Sequence, residues 1–180
     1  MLIGLTGRAG SGKDTAAAYL AEAHRFMPLA FATPIRHMLQ AGLGLTDEHF
    51  TPAAKNVAID WLGRSPRQLM QTLGTEWGRT HIGSTVWVDV AERELDSLSG
   101  LDVVFTDVRF ENEAAMIRNR GGIIIRLVRA AAQPVHSHVS EAGIKLLEFD
   151  REIHNNGTLF ELYDRLDAVV GEEAFLGALS

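Results

Sequence analysis

Apolar residues in this chain fall into short unbroken runs separated by longer stretches in which they return every third or fourth position, the signatures of buried strands and amphipathic helices. The run Leu2 to Leu5 is the first strand, and a helix starts near Lys13. "RFMPLAFA" from Arg25 reads as a second strand, and "TPIRHMLQAGLG" as a helix with Thr33 as cap, Pro34 in its first position and glycines past its end. Residues 46–60 are polar and less periodic, an excursion between elements. Ser65-Pro66 opens the next helix by the same cap-and-proline logic, running through "RQLMQTL" to Gly74. Leu69, Leu73 and Trp77 recur at four-residue spacing and are expected to turn toward the core, while Arg67 and Gln71 project together from another face.

The second half repeats the alternation. Trp87, Ala91, Leu95 and Leu98 mark a helix with both tryptophans, Trp77 and Trp87, expected in the core. "LDVVFTDVRF" is a buried strand closing on Asp107, followed by a helix with Phe110, Ala114 and Ile117 on one face until Gly121. "GGIIIRLV" is the fourth strand. Thr158 and Glu161 have capping-box spacing, and Leu159, Leu162, Tyr163 and Leu166 are the expected core face of the last helix. Strands alternating with helices predict an α/β fold, a parallel, doubly wound sheet flanked by helices, with ligands beyond the carboxyl ends of the strands.

Composition narrows the function classes. With 180 residues, 46% apolar and 22% charged, the chain supports one well-filled core, and a single domain is the expectation. The absence of Cys excludes disulfides and thiolate metal sites and suits a reducing compartment. Neither a basic leader nor a long apolar stretch is visible, so a cytoplasmic protein without a membrane span is expected. A formal charge of -6 argues against a general duplex-binding surface, which leaves anionic ligands to be met by local basic groups.

Those groups begin in "GLTGRAGSGKDT". Gly7, four residues, then Gly12-Lys13, between a strand and a helix, is a phosphate-binding loop. Gly7, Gly10 and Gly12 allow positive φ and keep Cβ atoms away from the backbone N–H groups, and the helix behind them adds unpaired donors. Lys13 supplies a mobile ammonium. The usual hydroxyl after the Lys is replaced by Asp14, with the first hydroxyl at Thr15. Asp14 is open to two readings, a favourable first-turn charge or a ligand for Mg²⁺. Asp107, closing an apolar strand, is the expected carboxylate partner for the Mg²⁺ hydration shell. His136 and His138 share a strand period but have no evident third ligand, so zinc is not expected.

The segments "TGRAGSGKDT", "FATPIR", "SPRQLMQTLGTEWGR", "DVRFENEA", "HVSE" and "HNNGTLFEL" together resemble phage-type deoxynucleoside monophosphate kinases, over most of the chain. The block from Ser65 to Arg79 with Asp107-Val108-Arg109-Phe110 carries the likeness most specifically. A more distant similarity to phosphomevalonate kinases, which share Ser-Gly-Lys-Asp, keeps a non-nucleotide acceptor open, as does an ATP-binding switch without an acceptor.

The resemblance implies a P-loop NTPase fold of about five parallel strands with a helical acceptor-binding region over residues 33–100 and a short lid over residues 129–145. It implies transfer of the γ-phosphoryl of ATP to a deoxynucleoside monophosphate, with ATP and Mg²⁺ as cofactors and Lys13, Asp107 and Arg109 as catalytic residues. The ATP site would comprise Gly7, Arg8, Gly10, Ser11, Gly12, Lys13, Asp14, Thr15 and Arg129, with Asn155 and Gly157 at the base and Arg126 a further lid candidate. Mg²⁺ would lie near Asp14, Thr15 and Asp107. The acceptor would meet Arg36, Arg67, Arg109, Gln68 and Gln71. Small-molecule substrates, no polymeric nucleic acid, and a monomer or homodimer complete the expectation.

Overall fold

A strand buried on both faces has no polar alternation, and in β1 (Leu2–Thr6) all five residues are buried, the apolar run Leu2–Leu5 and the Thr6 that ends it. The computed structural model describes residues 1–132 and 147–178. The chain divides into two units, one formed by Met1–Ala30 with Leu95–Ser180, the other by Phe31–Glu94.

The first unit holds β1, α1 (Lys13–His24), β2 (Met27–Leu29), β3 (Val103–Phe105), α5 (Glu111–Asn119), β4 (Ile123–Val128), β5 (Arg151–His154) and α6 (Leu159–Gly177). Its five strands are ordered β2-β3-β1-β4-β5, every pair parallel. From β1 the chain turns to one side for β2 and β3, then crosses to the other for β4 and β5. The crevice beside the carboxyl end of β1 is therefore the topological switch point, where α/β sheets bind ligands. Gly4 lets α5 approach the sheet closely, since a Cβ there would lie 2.7 Å from Ile117 and Ile124. Ile3, Leu5, Leu20, Val104, Ile125, Leu127, Ile153, Leu162 and Leu166 belong to one core cluster.

In the second unit lie α2 (Thr33–Leu43), α3 (Pro66–Gln71), a π-helical stretch (Thr72–Ile82) and most of α4 (Val86–Ser97). The expected single helix from Pro66 becomes π-helical at Thr72, and at its end Gly83 N donates to Gly78 O at 3.0 Å, five residues back. Gly74 and Gly78 are the buried residues of this stretch. The Trp87 indole lies on this backbone, with Nε1 donating to Gly74 O at 2.7 Å, and a Cβ on Gly78 would come within 2.6 Å of the ring.

Trp87 is thus in the core, at 4% exposed, but Trp77 is not, at 40%. Four-residue spacing keeps a face only in an α-helix, and Trp77 lies in the π stretch. Leu159, also expected inside, is 60% exposed because the core face of α6 begins at Leu162 and continues through Leu166 and Val169. Helix α2 starts at Thr33 itself, with Ala32 rather than Thr33 at the cap. The fifth strand lies in "REIH", where only Ile153 is buried and no apolar run announces it. No helix among the described residues is long and apolar enough to cross a membrane.

Candidate active site

The turn between β1 and α1 is held open by glycine. Gly7 (φ 140), Gly10 (φ 78) and Gly12 (φ 102) all have positive φ. At Gly7 a Cβ would lie 2.4 Å from Leu127 O, while Gly10 has nothing within 4 Å of such an atom and forms the open side. Ser11 N donates to Arg8 O at 3.1 Å and closes the turn. Helix α1 begins on Gly12 with no side-chain cap, so its first-turn N–H groups and the positive end of its dipole face the loop. Lys13 Nζ arches back to donate to Gly7 O at 2.7 Å and Arg8 O at 3.0 Å. Asp14 and Arg8 are exposed and Thr15 is half-buried. The Ser11 and Thr6 hydroxyls are buried without a hydrogen-bond partner among the described residues.

The second strand end beside this loop is that of β3. Thr106 N donates to Leu29 O at 2.9 Å and Val108 N to Leu5 O at 3.1 Å, which sets Asp107 between them at the carboxyl edge next to β1. Arg109 and Phe110 follow, and their backbone N–H groups both reach Glu113 Oε2, at 2.7 and 3.1 Å. Glu113 is 3% exposed. Sequence reasoning missed it, although it stands at the third position of α5 where a capping-box acid belongs. With Phe110 rather than Ser or Thr at the cap, the usual signature was incomplete.

A third contribution comes from the turn after β5. Asn155 Nδ2 donates to Ser11 O at 2.9 Å, and Asn156 Oδ1 accepts Ala130 N–H at 2.7 Å. Gly157 is exposed in the same turn, above the Glu161 carboxylate that accepts from Thr158 N at 2.7 Å. Arg129 is exposed at the end of β4, whereas Arg126 is half-buried with its guanidinium 4.0 Å over the Phe149 ring. Most of the expected lid, with His136, His138 and the "HVSE" motif, lies outside the described residues.

The structure therefore brings the glycine loop, Asp107, Arg109 and Asn155 into one unit. Arg36, Arg67, Gln68 and Gln71 belong to the other. There Arg36 is exposed with its guanidinium 5.1 Å from the Phe50 ring centre, and Arg67 N donates to Lys55 O at 2.9 Å. Gln68 closes a capping box, Oε1 accepting Ser65 N–H at 2.9 Å, which ties its amide to the start of the helix. Arg67 and Gln71 are half-buried. Among the described residues no group of three or more His, Cys, Asp or Glu side chains could hold a metal ion.

Residues 48–166 match the family model described as deoxynucleotide monophosphate kinase. A protein of Acanthamoeba polyphaga mimivirus assigned as a deoxynucleotide monophosphate kinase is 31% identical, over 94% of this chain and 96% of that protein. The deoxynucleotide monophosphate kinase of Escherichia phage RB69 is also 31% identical, over 68% of this chain, which spans about half, 50%, of that longer protein. Among solved structures, shikimate kinase from Aquifex aeolicus aligns over 97% of this chain and 99% of its own with a TM-score of 0.52 at 14% identity, a likeness of fold.

Proposed function

Because this chain belongs to the deoxynucleotide monophosphate kinase family, we propose that it transfers the γ-phosphoryl group of ATP to the 5′-phosphate of a deoxynucleoside monophosphate, giving ADP and the diphosphate. The observation that carries the reading is the glycine loop with Lys13 Nζ folded over it, 2.7 Å from Gly7 O, at the switch point of the sheet. Such a transfer asks for little covalent work. Two anions must be held in line and their charge met by fixed donors, and the acceptor phosphate is itself the nucleophile.

The loop suits the donor. Its N–H groups and the N-terminus of α1 meet phosphate oxygens, and Lys13 follows the charge onto the transferring group. The buried Ser11 hydroxyl, which has no hydrogen-bond partner among the described residues, is the kind of group a bound oxyanion satisfies. Arg8 and Arg129, both exposed, are the further donor-side cations, and Gly157 lies on the same side.

The oxygen donors Asp14, Thr15 and Asp107 fit Mg²⁺, which keeps several waters and needs one or two carboxylates plus substrate phosphates rather than a cage of side chains. When bound, the ion neutralises charge between the phosphates. In this reading Arg109, two residues after Asp107, supplies a guanidinium for the acceptor phosphate. Arg36, Arg67, Gln68 and Gln71 form the acceptor side, with guanidinium groups for phosphate and amides for a base edge. The family match does not favour a phosphomevalonate-like acceptor or a switch without an acceptor.

A virus-encoded relative points to the host cytoplasm as the place of work. A coupled assay of ADP release with ATP, Mg²⁺ and a panel of deoxynucleoside and ribonucleoside monophosphates tests the proposal. Turnover dependent on a deoxynucleoside monophosphate is expected, and release of ADP with none of them overturns it.

A further inference from the structure

Asn155 and Ser11 are far apart in the chain, yet they meet in a bond that is specific in direction. The backbone N–H of Asn155 donates to Val128 O at 2.7 Å, which fixes position 155 to the end of β4, next to β1. From there the side chain reaches Ser11 O at 2.9 Å. A peptide carbonyl only accepts, so the atom facing it has to be the amide nitrogen, and the orientation of the Asn155 amide is settled.

The consequence lies on the other side of the peptide. No peptide bond among the described residues is cis, so the Ser11 carbonyl and the Gly12 N–H point in opposite directions from one rigid plane. Holding the carbonyl toward Asn155 turns the Gly12 N–H away from it, as a donor for a ligand. The contact is close enough to exclude any side chain at Gly12, where a Cβ would fall 2.2 Å from Asn155 Nδ2. Gly12, at φ 102, is thus required twice, by its own backbone and by the amide packed on it. The neighbouring Asn156 pins the chain leaving β4 through Ala130 N at 2.7 Å, so the two asparagines join the glycine loop and that segment to a single turn.

We infer that Asn155 is a positioning residue of the glycine loop, setting the Ser11–Gly12 peptide for the donor's phosphates, and is not a reader of the donor's base. The inference rests on the phosphotransferase reading above. Its discriminating prediction is indifference to the base: whatever Asn155 contributes should be felt equally by ATP, by GTP and by inorganic tripolyphosphate, which has no base.

Calorimetric titration of the full chain with each of these ligands in Mg²⁺, for wild type, Asn155→Ala and the near-isosteric Asn155→Asp, provides the test. Asn155→Ala should weaken ATP and tripolyphosphate by the same factor, about tenfold for one lost hydrogen bond. Asn155→Asp, which cannot donate and sets a carboxylate against a carbonyl, should weaken both further. Affinity for the deoxynucleoside monophosphate and the melting temperature should stay near wild type in the aspartate variant, so a folding defect in the alanine variant does not decide the matter. Weakened ATP with unchanged tripolyphosphate overturns the inference in favour of a base contact. Unchanged affinity for both shows that the bond positions nothing. Wild-type protein that binds neither ligand overturns the phosphotransferase reading, and the positioning role with it.

Discussion

Glu113 Oε2 accepts the backbone N–H of Arg109 at 2.7 Å from a side chain buried to all but 3%. The same oxygen takes the Phe110 N–H at 3.1 Å. One carboxylate in the first turn of α5 therefore sets the direction in which the chain leaves β3, and with it the place from which Arg109 starts. Its charge is favoured there by the helix N-terminus and by both donors. Glu113→Ala strands two N–H groups and should destabilise the fold by about 1–3 kcal/mol. Glu113→Gln keeps an acceptor and should lose less. Urea unfolding of the pair checks this, and an alanine variant as stable as wild type would show that the turn holds without the acid.

Lys13→Ala removes the ammonium over the glycine loop while leaving β1 and α1 intact. Turnover should fall by at least about two orders of magnitude, the size found for losing a preorganised donor to developing charge. The melting temperature should hardly move, because the Nζ contacts to Gly7 O and Arg8 O are local and at most part-buried. Near-normal turnover would remove this loop from the mechanism.

Asp14 is exposed in the first turn of α1, where a carboxylate has two possible uses. If it helps hold Mg²⁺, Asp14→Asn raises the Mg²⁺ concentration needed for half-maximal rate several-fold at nearly constant stability. A metal titration that superimposes on wild type assigns Asp14 to the helix dipole alone, worth about 0.3–1 kcal/mol.

Helices α1 and α6 share a pH-sensitive contact. Tyr19 OH donates to Asp167 Oδ1 at 2.7 Å, and His24 Nε2 meets the same oxygen at 2.7 Å. The hydrogen bond to Asp167 pushes the Tyr19 phenol up to about 12, and the bonds from Tyr19 and His24 hold Asp167 below its ordinary range. A raised tyrosine stabilises fully below its unfolded value near 10 and loses that contribution as pH climbs through about 12. A depressed carboxylate stabilises above its unfolded value and loses the contribution as pH falls through the lower folded one. Tyr19→Phe should flatten both limbs of a plot of melting temperature against pH. The shift is small because the pair is exposed, and parallel curves for wild type and variant would remove the coupling.

Much of this was legible in the sequence because it depended on near neighbours. The glycine loop, the Ser65-Pro66 start of α3 and the Thr158–Glu161 capping box are fixed by residues no more than six positions apart. β1 and β4 were visible because each carries an apolar run, Leu2–Leu5 and Ile123–Ile125, of the kind a sheet covered on both faces requires. What stayed hidden was set by partners distant in the chain. Trp77 turned outward because it lies in the π-helical stretch, where four-residue spacing no longer keeps one face, while Trp87 takes the place against Gly74 and Gly78. β5 has a single buried residue, Ile153, and takes its place from pairing with β4. The bond from Asn155 to Ser11 spans most of the molecule's length in sequence, so no window along the chain contains both ends of it.

The proposed acceptor side rests on α3, and its test separates it from the proposed donor side. Ser65 caps this helix and Pro66 opens it, so Arg67 and Gln71 stand four residues apart in regular α geometry before the widening at Thr72. Residues at that spacing project side by side. A guanidinium fork beside an amide suits the phosphate and the base edge of one small ligand, and Arg67 is oriented by its own backbone, whose N–H is tied to Lys55 O at 2.9 Å. Arg67→Ala should raise the KM for the deoxynucleoside monophosphate by roughly ten- to a hundredfold, the equivalent of a charge-assisted contact of about 1.5–3 kcal/mol. ATP affinity should stay near wild type, since the proposed donor contacts belong to other elements. Gln71→Leu should leave the phosphate term alone and change the ranking among bases, because an apolar side chain of similar size leaves the base edge unpaired. Steady-state kinetics with each of the four common deoxynucleoside monophosphates reads both effects. An Arg67→Ala variant that loses ATP and acceptor affinity equally, or a Gln71→Leu variant with the wild-type base ranking, would take the acceptor site away from this helix.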